Sequence, residues 1–98
     1  MAGLLVKPDL LFMEDVRKLV GSNVARIRKS KGLTQEALEG MSGCSQAYIS
    51  ALEQGSRNPT ILVLVMLARA LGVPVFDLLA GVETAKAARP KATPKKKG

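Results

Sequence analysis

Residues 34–59 read Thr34-Gln-Glu-Ala-Leu38-Glu-Gly-Met41-Ser-Gly43-Cys44-Ser45-Gln-Ala-Tyr48-Ile49-Ser-Ala-Leu52-Glu53-Gln-Gly55-Ser-Arg57-Asn58-Pro59. Two short helices are written in this stretch. Thr34 and Ser45 each stand where a side-chain oxygen can accept a hydrogen bond from the first turn of a helix. Between the helices, Gly43 suits a backbone with positive φ, as a tight turn often requires. Gly55 stops the second helix. Ala37, Leu38 and Met41 make the inward face of the first helix. Ile49 and Leu52 do the same for the second, with Cys44 turned to the core between them. Ala47, Ser50, Ala51 and Gln54 then fall at i, i+3, i+4 and i+7, a small or polar stripe facing outward.

Upstream, Val16, Leu19, Val20, Val24 and Ile27 recur at helical spacing from about Asp15. Arg26, Arg28, Lys29 and Lys31 crowd the end of that segment, where the helix dipole favours cations, and Gly32 terminates it. Downstream, Thr60 caps a fourth helix that Gly72 ends, and Pro74 starts a short last one, Val75 to Leu79. The expected inward stripe of the fourth helix is Ile61, Leu64, Val65, Ala68 and Leu71. Leu62, Val63 and Met66 would then face outward as an apolar patch, which marks an interface. Two occupants are open: a second copy of the chain, or the apolar leader Leu4, Leu5, Leu10, Leu11 and Phe12 folding back over it. The expected division is a leader at 1–13, a domain at 14–82 and a Lys-rich tail at 83–98. The tail, rich in Ala, Lys, Pro and Thr without apolar periodicity, buries too little surface to offset chain entropy and is expected to be disordered.

Ninety-eight residues suffice for one helical core. The formal charge of +7 is unevenly placed. Residues 83–98 hold Lys86, Arg89, Lys91, Lys95, Lys96 and Lys97 against Glu83, so +5 lies in the tail and +2 in residues 1–82. Electrostatic attraction to a polyanion would be carried largely by the tail and would depend strongly on salt. The single cysteine excludes an internal disulfide framework. With no histidine there is no Ser-His or Cys-His pair and no imidazole metal site. Neither a phosphate-binding loop nor a paired-carboxylate arrangement is evident, so no enzyme, cofactor or metal is expected, and no small-molecule ligand. Lys7, Pro8 and Asp9 interrupt the N-terminal apolar segment, and Ile61–Ala68 is far too short to span a membrane. The expected setting is cytoplasmic.

The two capped helices, with Ser56-Arg57-Asn58 after the second, have the spacing by which a helix-turn-helix presents a helix to a DNA groove. More specific phrases surround them. Arg28-x3-Gly32-Leu33-Thr34-Gln35-x2-Leu38, Tyr48-Ile49-Ser50-x-Leu52-Glu53-x-Gly55-x-Arg57-Asn58-Pro59 and Leu64-x3-Ala68-x2-Leu71-Gly72-Val73 resemble the Xre family of Cro- and repressor-like regulators, over roughly residues 20–80. Within it, Tyr-Ile-Ser followed by Glu and Ser-Arg-Asn is most similar to restriction–modification controller proteins.

That resemblance implies an all-α, five-helix repressor-like domain that binds double-stranded DNA as a homodimer on a two-fold operator. It implies base contacts from Gln46, Ala47, Tyr48, Ser50 and Ala51, and phosphate contacts from Gln35, Ser56, Arg57 and Asn58. Gln35 would also brace the third helix. Arg28 and Glu53 match a structural ion pair, and Leu62, Val63 and Met66 are the expected dimer interface. Gln can bond adenine N6 and N7 together, worth about 1–3 kcal/mol of discrimination. Amides in the first turns of the second and third helices favour a phosphate or another acceptor. Ala47 and Ala51 are small where many relatives have larger polar residues, so water-mediated contacts and DNA deformability are expected to contribute. Two rival readings stay open. One is an antitoxin or adaptor whose apolar patch binds another protein; the other is a nonspecific DNA-compacting protein driven by its tail.

Overall fold

The computed structural model describes residues 6–84, and the side chains of residues 15–83. The leader's side chains and the tail beyond Thr84 lie outside the described residues. Five α-helices follow one another: α1 (Val6–Ser30), α2 (Gln35–Ser42), α3 (Gln46–Glu53), α4 (Ile61–Leu71) and α5 (Val75–Leu78). A 3₁₀ turn, Val82–Thr84, closes the described chain.

α1 begins nine residues before the expected start near Asp15. Pro8 is its third residue, in the first turn, where backbone N–H groups have no acceptor within the helix. Proline there starts a helix rather than breaking one, so leader and first helix are continuous up to Val6. At the other end, Val82 packs against the core and begins the 3₁₀ turn that reaches Thr84.

The core lies where α1 crosses α3 and α4. Val20, Val24 and Ile27 of α1 meet Leu38 of α2, Cys44 of the turn, Ile49 and Leu52 of α3, and Leu64, Leu67, Ala68 and Leu71 of α4, with Leu78 of α5 beneath. Burial of each such aliphatic side chain is worth roughly 1.5–3 kcal/mol. Two of the expected inward faces are corrected. Met41 is 53% exposed, so Leu38 alone is fully buried in α2. In α4 the buried stripe is Leu64, Leu67, Ala68 and Leu71, and Ile61 is 77% exposed. The reason is compositional: Arg69 is the one polar residue in Ile-Leu-Val-Leu-Val-Met-Leu-Ala-Arg-Ala-Leu, so hydropathy carries almost no period. Ile61 is the first residue of α4.

The crossing of α1 over α3 depends on Gly21. A Cβ at that position would overlap the Leu52 carbonyl oxygen and lie 3.0 Å from the Glu53 carbonyl carbon. Glycine normally weakens a helix interior by about 1 kcal/mol relative to alanine; here it lets two backbones touch. Two residues further on, buried Asn23 joins α1 to the end of α5. Its Nδ2 donates to the carbonyl oxygens of Leu78 and Ala80, both at 3.0 Å, and its Oδ1 accepts from Arg26 Nη2 at 3.2 Å. Those carbonyls lie at a helix end, where intrahelical donors run out.

Candidate nucleic-acid interface

Three side-chain acceptors fix the two helices of the motif. Thr34 Oγ1 accepts from Ala37 N at 3.0 Å and Ser45 Oγ from Tyr48 N at 3.1 Å, so both expected caps are made. Glu39 Oε1 accepts from Gln46 N at 3.2 Å, a carboxylate placed against the positive end of α3. Gly43 takes φ +85° and closes α2, its N–H donating to Glu39 O at 2.9 Å. With Gln46 N and Tyr48 N thus engaged, two of α3's first-turn amides already have partners within the chain.

One carboxylate positions α3 against the rest of the domain. Glu53 Oε2 accepts from Arg28 Nε at 2.7 Å, and Oε1 accepts from Arg28 Nη2 at 3.0 Å and from Gln35 Nε2 at 2.9 Å. Arg28 Nη1 also donates to Leu33 O at 2.7 Å. The expected ion pair is present, in bidentate form, and the Gln35 brace is made. The side chains of Arg28 and Glu53 are 10% and 8% exposed. The hydrogen bonds that Arg28 donates to Glu53 hold its pKa above the ordinary value, against the opposing effect of desolvation. The end of α1, the start of α2 and the last turn of α3 therefore meet at one point.

The outward face of α3 is formed by Gln46 and Ala47, both exposed, with Ser50 and Ala51 half-buried beside them. Gln54 Nε2 donates to Ser50 Oγ at 3.3 Å. Tyr48 is half-buried and packs on the core, while Arg57 lies over its ring with Cζ 5.3 Å from the centroid. That cation–π contact sets the guanidinium beside α3 rather than loose in the loop. Asn58 is exposed next to it. Ser56 acts locally: its N–H and hydroxyl both donate to Ala51 O at 3.0 Å, closing the end of α3. In this arrangement its hydroxyl proton is already given to the protein.

On α4, Leu62 and Met66 are 74% and 41% exposed, but Val63 is half-buried and packs on the core. Of the three expected interface residues, two therefore lie open. An apolar groove runs between Met41 and Ser42 of α2 and Leu62, Val65, Met66 and Arg69 of α4. Gly21, Asn23 and Glu39 also hold the site in place, by contacts that their positions in the sequence do not mark. Gly21 and Asn23 act on backbone atoms distant in the chain and Glu39 on the start of the next helix, contacts that no spacing rule reveals. Among the described residues no helix is long and apolar enough to cross a membrane.

The geometry matches that of known proteins. The helix-turn-helix family model matches residues 24–78. An uncharacterised helix-turn-helix-type transcriptional regulator of Sinorhizobium fredii, y4dJ, is 60% identical over 65 residues, covering 66% of this chain and 84% of that protein. The restriction–modification controller protein C.AhdI of Aeromonas hydrophila superposes with a TM-score of 0.62 at 34% identity, over 65% of this chain and 96% of its own. The controller C.Esp1396I, solved as a tetramer in complex with its natural 35-base-pair operator, superposes with a TM-score of 0.62 at 34% identity, over 68% of this chain and 92% of its own. With its capped α2 and α3, its Glu53-centred brace and these relatives, the chain belongs to the helix-turn-helix family of DNA-binding transcriptional regulators.

Proposed function

We propose that this protein acts as a homodimer on a two-fold operator near a promoter, reading sequence with α3 and occluding or recruiting RNA polymerase. The observation that carries the reading is the outward face of α3, set rigidly against α1 and α2 by Glu53. Gln46, Ala47, Tyr48, Ser50 and Ala51 would meet base edges. Arg57, Asn58 and Gln35 would meet phosphates, with Ser56 joining them only by releasing Ala51. Leu62 and Met66, with Val63 at their edge, would form the dimer face, since a two-fold operator calls for a self-complementary surface. The operator-bound tetramer of C.Esp1396I supports paired subunits on DNA. The reading assigns no catalytic activity and no cofactor, and places the protein in the cytoplasm. Control then comes through protein concentration, with autoregulation as a corollary.

Selection of bound duplexes from a random DNA pool, with full-length protein at about physiological salt, tests this. A two-fold motif with half-sites about one helical turn apart is expected. Enrichment of no motif would overturn sequence-specific recognition. Co-purification of a stoichiometric protein partner would instead favour the adaptor reading.

A further inference from the structure

We infer that Gln54 is a specificity-determining residue that works through Ser50, the two side chains forming one donor–acceptor unit on α3 that selects adenine. The inference rests on the DNA-binding reading above and names the base that this part of the face takes.

A serine hydroxyl alone discriminates poorly between bases. It carries one donor and two acceptor lone pairs and rotates to suit whichever partner it meets. Ser50 is not left in that condition, because Gln54 Nε2 donates to its Oγ at 3.3 Å. With a lone pair of the oxygen taken, the hydroxyl hydrogen turns away from the amide and is free to donate elsewhere. The same bond orients the Gln54 amide and leaves its Oε1 as an acceptor. Among the described residues no other hydrogen bond occupies either group. The pair therefore presents a hydroxyl donor and an amide acceptor side by side.

Placement puts this unit where a base edge can meet it. Gln54 follows α3 yet keeps helical backbone, φ −86° and ψ −3°, so its side chain continues the stripe of Ala47, Ser50 and Ala51. Long helical side chains lean toward the N-terminus and cover the turn before their own Cα. The Gln54 amide thus acts at the level of Ser50, one turn nearer the end of a reading helix that contacts bases. Ala47 and Ala51 flank Ser50 with methyl groups only, and Gln54 is exposed. In the major groove adenine shows an N7 acceptor beside an N6 donor, the complement of this pair. Guanine shows two acceptors, one of which would face Gln54 Oε1. Cytosine offers only a donor, and thymine only an acceptor beside its methyl, so each leaves one member of the pair unsatisfied.

The test repeats the duplex selection with the full chain bearing Q54A, then titrates the parent, S50A, Q54A and S50A/Q54A on the parental motif. Q54A is expected to flatten preference at one A·T pair of each half-site, by about tenfold to a hundredfold. At that adenine, 7-deazaadenine (which lacks N7) should weaken the parent and leave S50A indifferent. Purine, which lacks the 6-amino group, should weaken the parent and leave Q54A indifferent. The double variant should lose about as much as either single one. Fold-losses that instead multiply to within about twofold would overturn the unit, because each side chain would then act independently. A Q54A selection identical to the parent's, or flattening at a G·C pair, would also overturn it while leaving α3 readout intact. Failure of the unsubstituted chain to enrich any motif would overturn the DNA-binding reading itself, and this inference with it.

Discussion

Glu53 and Arg28, twenty-five residues apart, are joined by two parallel N–H···O bonds of 2.7 and 3.0 Å, nearly out of solvent. The pair does more than close a gap between α1 and α3. Because Oε1 of the same carboxylate also takes the Gln35 amide, the angle of α3 relative to α2 is set by one residue at α3's last turn. Held at both ends, by Ser45 and Glu39 at its start and by Glu53 at its end, α3 presents Gln46 and Ser50 in a fixed register.

Replacing Glu53 with Ala should leave the Arg28 guanidinium buried without a carboxylate and Gln35 Nε2 without its acceptor. Loss of one member of a buried pair costs on the order of 3 kcal/mol. In a domain of this size that is roughly 12–24 °C in Tm, measurable by thermal melting. Arg28→Lys should rescue little, since an ammonium cannot serve both carboxylate oxygens and Leu33 O in the same geometry. The raised Arg28 pKa means that its share of this stabilisation is fully present below the unfolded pKa. It is lost only as pH rises through the still higher folded value, so alkaline titration to pH 10 should leave the arginine's contribution intact.

Gly21→Ala and Gly40→Ala should move stability in opposite directions. At Gly21 the added methyl meets the Leu52 carbonyl, so α1 and α3 must part, at a cost of about 1–3 kcal/mol or more. Gly40, inside α2, has nothing within 4 Å of its would-be Cβ. Alanine there should gain about 0.5–1 kcal/mol from helix propensity alone. Urea denaturation of both variants checks the contrast.

Asn23→Ala should strip donors from Leu78 O and Ala80 O and destabilise the domain by about 1–3 kcal/mol. Asn23→Asp should be worse at neutral pH, because a carboxylate faces two carbonyl oxygens. The folded state then raises that carboxyl's pKa, so the deficit should shrink as pH falls and the acid gains a proton to donate. A deficit that grows on acidification, relative to the parent protein, would contradict the assignment.

Arg57→Ala and Gln46→Ala should separate phosphate contact from base readout. The first should weaken binding to all duplexes alike and lower the salt slope by about 1. The second should relax preference at one position of the selected motif by about 1–3 kcal/mol. Competition titrations with single-base variants of that motif distinguish the two.

Leu62→Glu and Met66→Glu should yield monomers with weakened operator binding and near-parental melting, since both residues are exposed within one subunit. Val63→Glu is a poorer probe because Val63 packs on the core, so unfolding would mask dissociation. Analytical ultracentrifugation reads the outcome, and a fully dimeric Met66→Glu would remove α4 from the proposed interface.

The helices around the motif were legible because their punctuation is local. Thr34, Ser45 and Thr60 cap the turn that follows them, and Gly43 and Gly72 take the positive φ that ends α2 and α4. The ion pair of Arg28 with Glu53 came from family resemblance, not from spacing, because nothing in a chain reveals which charges meet across twenty-five residues. What tertiary structure alone decided were long-range contacts on backbone atoms: Gly21 against Leu52, Asn23 on Leu78 and Ala80. It also chose the buried face of α4, where an almost wholly apolar helix offers no period and only the packing of the other helices determines that Leu67 is covered and Ile61 exposed. Local capping and turn chemistry act within a few residues and can be read in order. Burial depends on which surfaces meet, and that is settled only when the helices pack.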